Sequence, residues 1–369
     1  MLLPLSGELK EPGQDQLKGF KLALQDRSWS LAGHAIELDI VDSHCSREGG
    51  VTGALKITAD PLVAAIFGTY CSIAATGASE IVSEAGLVMI SAGNTAPSLT
   101  SLGDVPGQNH QPGYFRTAHN DVAMGKAVAD FARKKLSLSR AATLNDGDPY
   151  TSELTAAFAK AFQNTGGEVV LQETINKGDK DMTPVLQTIL QARPQMLFFP
   201  IFSPAGERIV RQARQLRGAQ SLAMVTGAGL FDEAFYEQVG EAGQGLYFVV
   251  PGLPRSKEYQ AFLSRFKKVY KAAPKSAHFA HAYDAGGILL SAMQAASTHE
   301  EDGSLSFGRQ ALREAIQSIS GYQGVTGRLS CNRFGDCGQA RFKIVRLDHP
   351  GAGFQHLASN IIYTYEPRH

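Results

Sequence analysis

Cys71 and Ser72 are the residues of this sequence best placed to do chemistry. They follow an apolar run ending at Phe67 and a turn at Gly68. Ser72 then opens a helical pattern with Ile73, Ala74, Ile81 and Val82 on one side. A thiol at a helix start has a depressed pKa, so Cys71 is a candidate nucleophile, and His44 is the nearest candidate base. Cys45, next to His44, competes for the same thiol, and a disulfide would consume it. The other chemistry open to this stretch is anion binding. A second apolar run, 87–90, ends in Ser91-Ala92-Gly93-Asn94-Thr95, so two neighbouring strands each end in a turn of hydroxyls and backbone N–H groups. Ligands of open α/β sheets bind outside the carboxyl ends of strands, and helix N-termini there favour anions. The loop pair is therefore expected to grip the carboxylate of a small molecule.

Other constellations carry less. His278 and His281 are spaced as half of a metal site, but no third ligand follows at a suitable distance. Two histidines on an otherwise apolar helix read as packing residues with satisfied partners, and no metal is expected. The pairs Glu80/Glu84 and Glu300/Glu301 read as solvated surface. Gly-x-Gly-x-x-Gly after a strand, the phosphate-loop motif and Gly-x-Ser-x-Gly are all absent, so nucleotide cofactors and α/β-hydrolase chemistry lose support. No cofactor and no enzymatic activity are expected. In the second half, three strand ends carry groups that could wall a cleft: Asp146, Asp148 and Tyr150; Phe202 and Ser203; and the Thr226-Gly227-Ala228-Gly229 turn.

The elements that must position these residues alternate. Strands at 2–5, 34–41, 62–67 and 87–90, with helices at 14–27, 48–59 and from Ser72, give β-α-β-α-β-α-β, which calls for a parallel sheet covered on both faces. After a Gly/Pro-rich loop over 98–113 and an extended segment 114–117, the pattern restarts. Helices are expected at 121–135, 150–164, 182–191 and 204–217, and strands at 141–144, 168–174, 196–200, 222–225 and 246–250. Helices 258–272, 279–296 and 308–318 follow one another without strands, so they are expected to return to the first lobe. Extended runs at 324–329, 339–347 and 361–365 close the chain.

At 369 residues the chain exceeds one ordinary core, and two domains are expected. Its composition, 43% hydrophobic and 19% charged, is that of a globular protein, and no apolar run approaches a membrane span. Thirty-five basic and 35 acidic residues cancel, which argues against nucleic acid or an anionic membrane as partner. The four cysteines fall into two plausible pairs. Cys45 and Cys71 follow strands at one sheet edge, and Cys331 and Cys337 bracket a short polar loop, so disulfides and an oxidising compartment are expected over four unrelated thiols. The first pair would stabilise by roughly 3–4 kcal/mol. The chain begins in mid-strand at Met1, which fits either a true start or the loss of a leader.

The pieces L-P-L-S-G at 3–7, Cys45, G-T-Y-C-S with Tyr70, Cys71 and Ser72, G-L-V-M-I-S-A-G-N-T-A-P at 86–97, F-R-T-A at 115–118, P-Y at 149–150 and R-Q-A-R-Q-L-R-G at 211–218 resemble the type I periplasmic binding proteins of the Leu/Ile/Val-binding family. These are the ligand-capturing components of ABC importers. The resemblance covers most of the chain. It implies an α/β fold of two Rossmann-like lobes joined by three hinge crossings, with lobe 1 at 1–117 plus 252–325 and lobe 2 at 118–251 plus 326–369. It also implies a Cys45–Cys71 bond and a ligand closed between the lobes.

In such proteins a serine after the second cysteine holds the ligand carboxylate and a strand-end threonine holds its amine, which land on Ser72 and Thr95. A tyrosine and an aromatic residue of the other lobe land on Tyr150 and Phe202. The acid that pairs with the ligand ammonium lands on Ala228, which cannot neutralise a cation. Either the ligand lacks the amine or another acid, such as Asp121, Asp146 or Asp148, takes over. Asn94 replaces a small apolar residue and adds hydrogen-bonding capacity beside the carboxylate. The resemblance thus implies a monomeric extracytoplasmic binder, periplasmic or on the outer face of the membrane, delivering a hydrophobic amino acid to a membrane permease. The alternatives are an amine-free aromatic or aliphatic acid, or a ligand-sensing module of the same fold.

Overall fold

A computed structural model describes residues 1–366. It divides into two compact units. The first comprises 1–120 and 253–339, and the second 121–252 and the chain from Ala340 onward. The expected lobe limits placed residues 326–339 in the second lobe. In the structure they belong to the first, because the hairpin Tyr322–Gly324/Gly327–Leu329 and the loop after it stay paired there. The last three residues of the expected second lobe lie outside the described ones.

In the first unit the parallel strands Val41–Asp42, Leu2–Leu3, Ile66–Phe67, Met89–Ser91 and Tyr114–Arg116 lie side by side, with a Leu2–Gly68 bridge joining the first pair to the other three. Successive side chains of a strand point to opposite faces, and both faces here are apolar. Leu2, Ile66, Met89 and Tyr114 pack with Ile57, Ala75 and Val82 of the helices Arg47–Thr58 and Ser72–Glu84. Leu3, Phe67, Ile90 and Phe115 pack on the other face with Phe20, Leu24, Ile288 and Leu289 of the helices Lys10–Asp26 and Phe279–Ala296. Each of these large side chains contributes about 1.5–3 kcal/mol by leaving water. The late helices are thus needed to cover the first sheet.

The 34–41 run does not form one strand. Ser30–Leu31 and His34–Ala35 make a hairpin, and only Val41–Asp42 join the sheet, because Leu2–Leu3 offers a parallel edge of only two residues. The first helix starts at Lys10, four residues earlier than its apolar spacing suggests. Pro12 is accommodated in its opening turn, where a missing N–H costs nothing.

The second unit is built on a seven-stranded sheet ordered Glu168–Thr174, Arg140–Asn145, Met196–Phe198, Ala223–Thr226, Tyr247–Pro251, Phe342–Arg346, Ile361–Tyr365. The first five are parallel and the last two antiparallel. One face buries Phe198, Val225, Val249, Phe342 and Ile344 against Leu154, Phe158 and Phe162 of the helix Pro149–Asn164. Two short helices, Glu233–Val239 and Phe354–Ser359, were not expected from the sequence.

Candidate functional site

Cys45, Cys71, Ser72, Asn94 and Thr95 all lie just beyond the carboxyl ends of strands of the first unit's sheet. Cys71, at the start of the helix Ser72–Glu84, is bonded to Cys45, and among the described residues no cysteine is free. Cys71 is therefore no nucleophile. It ties the turn after Ile66–Phe67 to the loop after Val41–Asp42, across the end of Leu2–Leu3. No side chain caps this 13-residue helix, so its start keeps the partial positive charge of its N–H groups. The Ser72 hydroxyl accepts from the backbone N–H groups of Thr95 and Ala96, both at 3.3 Å. That leaves the Ser72 proton to donate, which suits a carboxylate oxygen. The two strand-end loops are thus cross-linked at the residues expected to hold the acid.

The Ser91–Thr95 loop is held from inside. Ser91 Oγ accepts from the N–H groups of Gly93 and Asn94 and donates to Thr69 O. Asn94 differs from expectation. Its side-chain amide turns into the core, where Nδ2 donates to Thr69 Oγ1 at 3.1 Å and Oδ1 accepts from Tyr114 OH at 3.1 Å. The added amide braces the loop because a polar group at this fully buried position must find partners in the interior. Burial also pushes the Tyr114 hydroxyl pKa up, keeping it a donor.

Arg116 is fully buried behind the same loop. It donates to Asn94 O at 3.2 Å and Ala96 O at 2.9 Å, and its Nε meets Asp336 Oδ1 at 2.7 Å. Burial opposes ionisation of Asp336, but Arg116 and hydrogen bonds from Thr100 and Asn120 outweigh it and hold the carboxyl below its usual range. Asp336 sits in the loop closed by the Cys331–Cys337 disulfide. That second disulfide therefore presents the counter-ion of the arginine that shapes the loop.

The sequence reading missed a neighbouring polar group. Gly93 leaves no room for a side chain: a Cβ there would lie 2.6 Å from Gln16 Nε2 and 2.8 Å from the Tyr70 ring. The Tyr70 ring lies edge-on to His278, with centroids 6.0 Å apart. His278 in turn neighbours His281 at 5.4 Å and His119 at 6.3 Å. Gln16 is fully buried and both its amide atoms lack a protein partner. So do both ring nitrogens of His278 and Nδ1 of His281. Asp15 places the segment before His278 by accepting from Lys275 N, Ser276 N and Ser276 Oγ at 2.7–3.1 Å. Burial, reinforced by the neighbouring imidazoles, pushes the His278 pKa well below its ordinary value, and burial with His119 takes His281 to about 3. These rings are neutral at pH 7. The only signal in the sequence was the His278/His281 spacing on an apolar helix, and it does not reveal that the nitrogens go unsatisfied. Among the described residues no group of three or more His, Cys, Asp or Glu could hold a metal ion.

In the second unit Tyr150 and Phe202 pack together, with ring centroids 5.1 Å apart. The turn after Ala223–Thr226 closes on both. A Cβ at Gly227 would lie 2.4 Å from Tyr150 OH, and one at Gly229 would lie 2.7 Å from the Phe202 ring. Ala228, between them in the chain, is buried. Ser203, next to Phe202, has a buried hydroxyl without a protein partner. Asp148 is committed elsewhere: Oδ1 caps the helix Pro149–Asn164 by accepting from Tyr150 N, and Oδ2 pairs with Lys177 at 2.7 Å. Asp146 accepts from Thr151 Oγ1 at 2.6 Å and from Asp148 N. Asp121 is buried at the first residue of the helix Asp121–Asp130.

A family model described as periplasmic binding protein matches residues 1–349. The chain belongs to that family. Within it, this periplasmic binding protein is 24% identical over 352 residues to the Leu/Ile/Val-binding protein BraC3 of Rhizobium johnstonii, covering 94% of this chain and 90% of that one. Its fold is that of the leucine-binding protein LivK of Thermotoga maritima, with a TM-score of 0.84, 24% identity and coverage of 99% and 97% of the two chains. A solute-binding protein of an ABC transporter from R. palustris, solved with benzoate, has the same fold at a TM-score of 0.78, 23% identity and coverage of 98% and 96%. The periplasmic binding protein's fold is thus the type I arrangement of parallel sheets flanked by helices. Among its described residues no helix is long and apolar enough to cross a membrane.

Proposed function

We propose that this chain is an extracytoplasmic solute-binding protein that captures a small carboxylate ligand for an ABC importer and catalyses no reaction. The observation that carries the reading is the pair of cross-linked loops in the first unit. Ser72 stands with its proton free to donate at an uncapped helix start, and Thr95 is held beside it. Tyr150, Phe202 and Ala228 are the proposed apolar half of the site, supplied by the second unit. A ligand with higher affinity for the closed arrangement of the lobes shifts the population toward it, and this closed form is what the permease would recognise.

The ligand's other end is read from the acids. Ala228 carries no charge, Asp148 is engaged by a helix cap and an ion pair with Lys177, and Asp146 Oδ1 accepts from Thr151 Oγ1. A buried ammonium without an anion is costly, so this set favours an amine-free aromatic or aliphatic acid, the chemistry of the benzoate complex named above. The hydrophobic amino acid remains the second reading, favoured by the names of the relatives. Calorimetric titration with leucine, isoleucine, phenylalanine, benzoate and 4-methylpentanoate tests both. Binding of benzoate or 4-methylpentanoate at least 10-fold tighter than leucine supports the first. Tighter leucine binding establishes the second and requires Asp121 or another acid as its partner. Binding of none of these acids sinks the carboxylate reading itself.

A further inference from the structure

We propose that Gln16 and His278 are ligand-binding residues that select an acid carrying an uncharged polar substituent, such as a hydroxyl, over the same acid without it. The proposal rests on the carboxylate reading above and adds a residue pair to the first unit's half of the site.

Three observations carry it. First, Gln16 and His278 are almost completely buried, yet four polar atoms of the two side chains have no protein partner, and Nδ1 of His281, the neighbour of His278, adds a fifth. Each such atom left unpaired costs roughly 1–3 kcal/mol, so a cluster of five calls for an occupant that bonds to it. Second, the cluster adjoins the carboxylate loops. Gln16 and Tyr70 together close over Gly93, two residues before Thr95, and Tyr70 touches His278 edge-on. Third, its placement is built. Asp15 fixes the segment leading to His278 through three hydrogen bonds, and Thr117 Oγ1 donates to His281 O at 2.8 Å in the first turn of the following helix.

The chemistry of the cluster decides the substituent. A neutral imidazole offers one N–H donor and one acceptor nitrogen, and a primary amide offers donors and an acceptor. A hydroxyl, itself both donor and acceptor, satisfies both kinds. An ammonium has only donors and needs a negative charge, and a second carboxylate has only acceptors. Neither matches a neutral, mixed array. A site that hydrogen-bonds a substrate hydroxyl discriminates strongly against the analogue lacking it, because the buried groups are then left unpaired.

The test uses the whole chain and four probes: benzoate and its three monohydroxy isomers, titrated calorimetrically. The wild type is expected to bind the best hydroxylated isomer at least about 10-fold tighter than benzoate, the ratio one buried hydrogen bond supplies. In Gln16→Leu/His278→Phe the hydroxylated isomer is expected to lose its advantage, the ratio to benzoate falling below about 3-fold. Gln16→Leu/His278→Gln, which keeps one amide, should restore part of the preference. A wild type that binds benzoate and every hydroxylated isomer equally overturns the inference but leaves the carboxylate reading standing. So does a double variant that loses affinity equally for all four probes, since that marks Gln16 and His278 as structural, bonded to ordered water. If no probe binds, the inference falls, and the carboxylate reading falls with it only when leucine, isoleucine, phenylalanine and 4-methylpentanoate fail to bind as well. If the double variant does not fold, each single variant is titrated instead, and an unchanged ratio in both overturns the proposal.

Discussion

Asp336→Asn offers the sharpest test of how the carboxylate loops are held. Arg116 has no exposed surface, and Asp336 Oδ1 is the carboxylate oxygen that meets its Nε at 2.7 Å. The asparagine keeps the shape and some hydrogen bonds from Thr100, Ser101 and Asn120 but removes the charge. Breaking a buried pair costs about 3–5 kcal/mol because the remaining charge is uncompensated. Asp336 is slightly open to water, so the lower end, about 3 kcal/mol, is expected. A domain of about 200 residues loses about 2–4 °C per kcal/mol, so its transition should fall by about 6–12 °C. Differential scanning calorimetry at pH 7 reads this directly, with the two units resolved as separate transitions where they unfold independently. The effect also has a pH signature. The folded Asp336 carboxyl ionises below its reference value of 3.8, so its contribution is fully present above that pH and is lost as the pH falls through the lowered folded value. The gap between wild type and variant should therefore be constant from pH 7 to near pH 4 and close below it. A fall of less than 2 °C at pH 7, or a gap that widens on acidification, would refute the account of Arg116 as a charge-compensated brace.

Three further outcomes are expected. Cys331→Ser/Cys337→Ser should cost about 2 kcal/mol from loop closure, less than Asp336→Asn, as measured by the same calorimetry. Ser72→Ala/Thr95→Ala should abolish the thermal shift produced by whichever carboxylate binds; an unchanged shift would place the acid elsewhere. Asp284 is buried in the helix Phe279–Ala296 and accepts from the N–H groups of Val325 and Thr326, both at 2.8 Å. Burial, against those bonds, raises its pKa to about 6. A raised carboxyl contributes stability that is complete below 3.8 and disappears as the pH rises through about 6, so proton–carbon NMR should place its titration near 6 and stability should decline between pH 4 and 7. An Asp284 titration near 4 would contradict this.

The alternation of elements in both halves is legible in the residues alone. Strand residues such as Ile66, Phe67, Met89 and Ile90 are apolar on both faces, and only a sheet covered on both sides accommodates that. The sequence also placed Ser72, Thr95, Tyr150, Phe202 and Ala228 at strand ends, because turn chemistry is local. The structure decided what those positions face. Asn94 reads as a ligand group in one dimension, but Thr69 and Tyr114 claim its amide in three. Asp148 reads as a free acid until Lys177, 29 residues later, pairs with it. Gln16 and His278 lie far apart in the chain and come to the neighbourhood of Tyr70 only because the helices Lys10–Asp26 and Phe279–Ala296 pack on the same sheet face. Periodicity reports which face of an element is buried. Which polar atoms are left unpaired there depends on contacts between distant segments, and those exist only after the chain has folded.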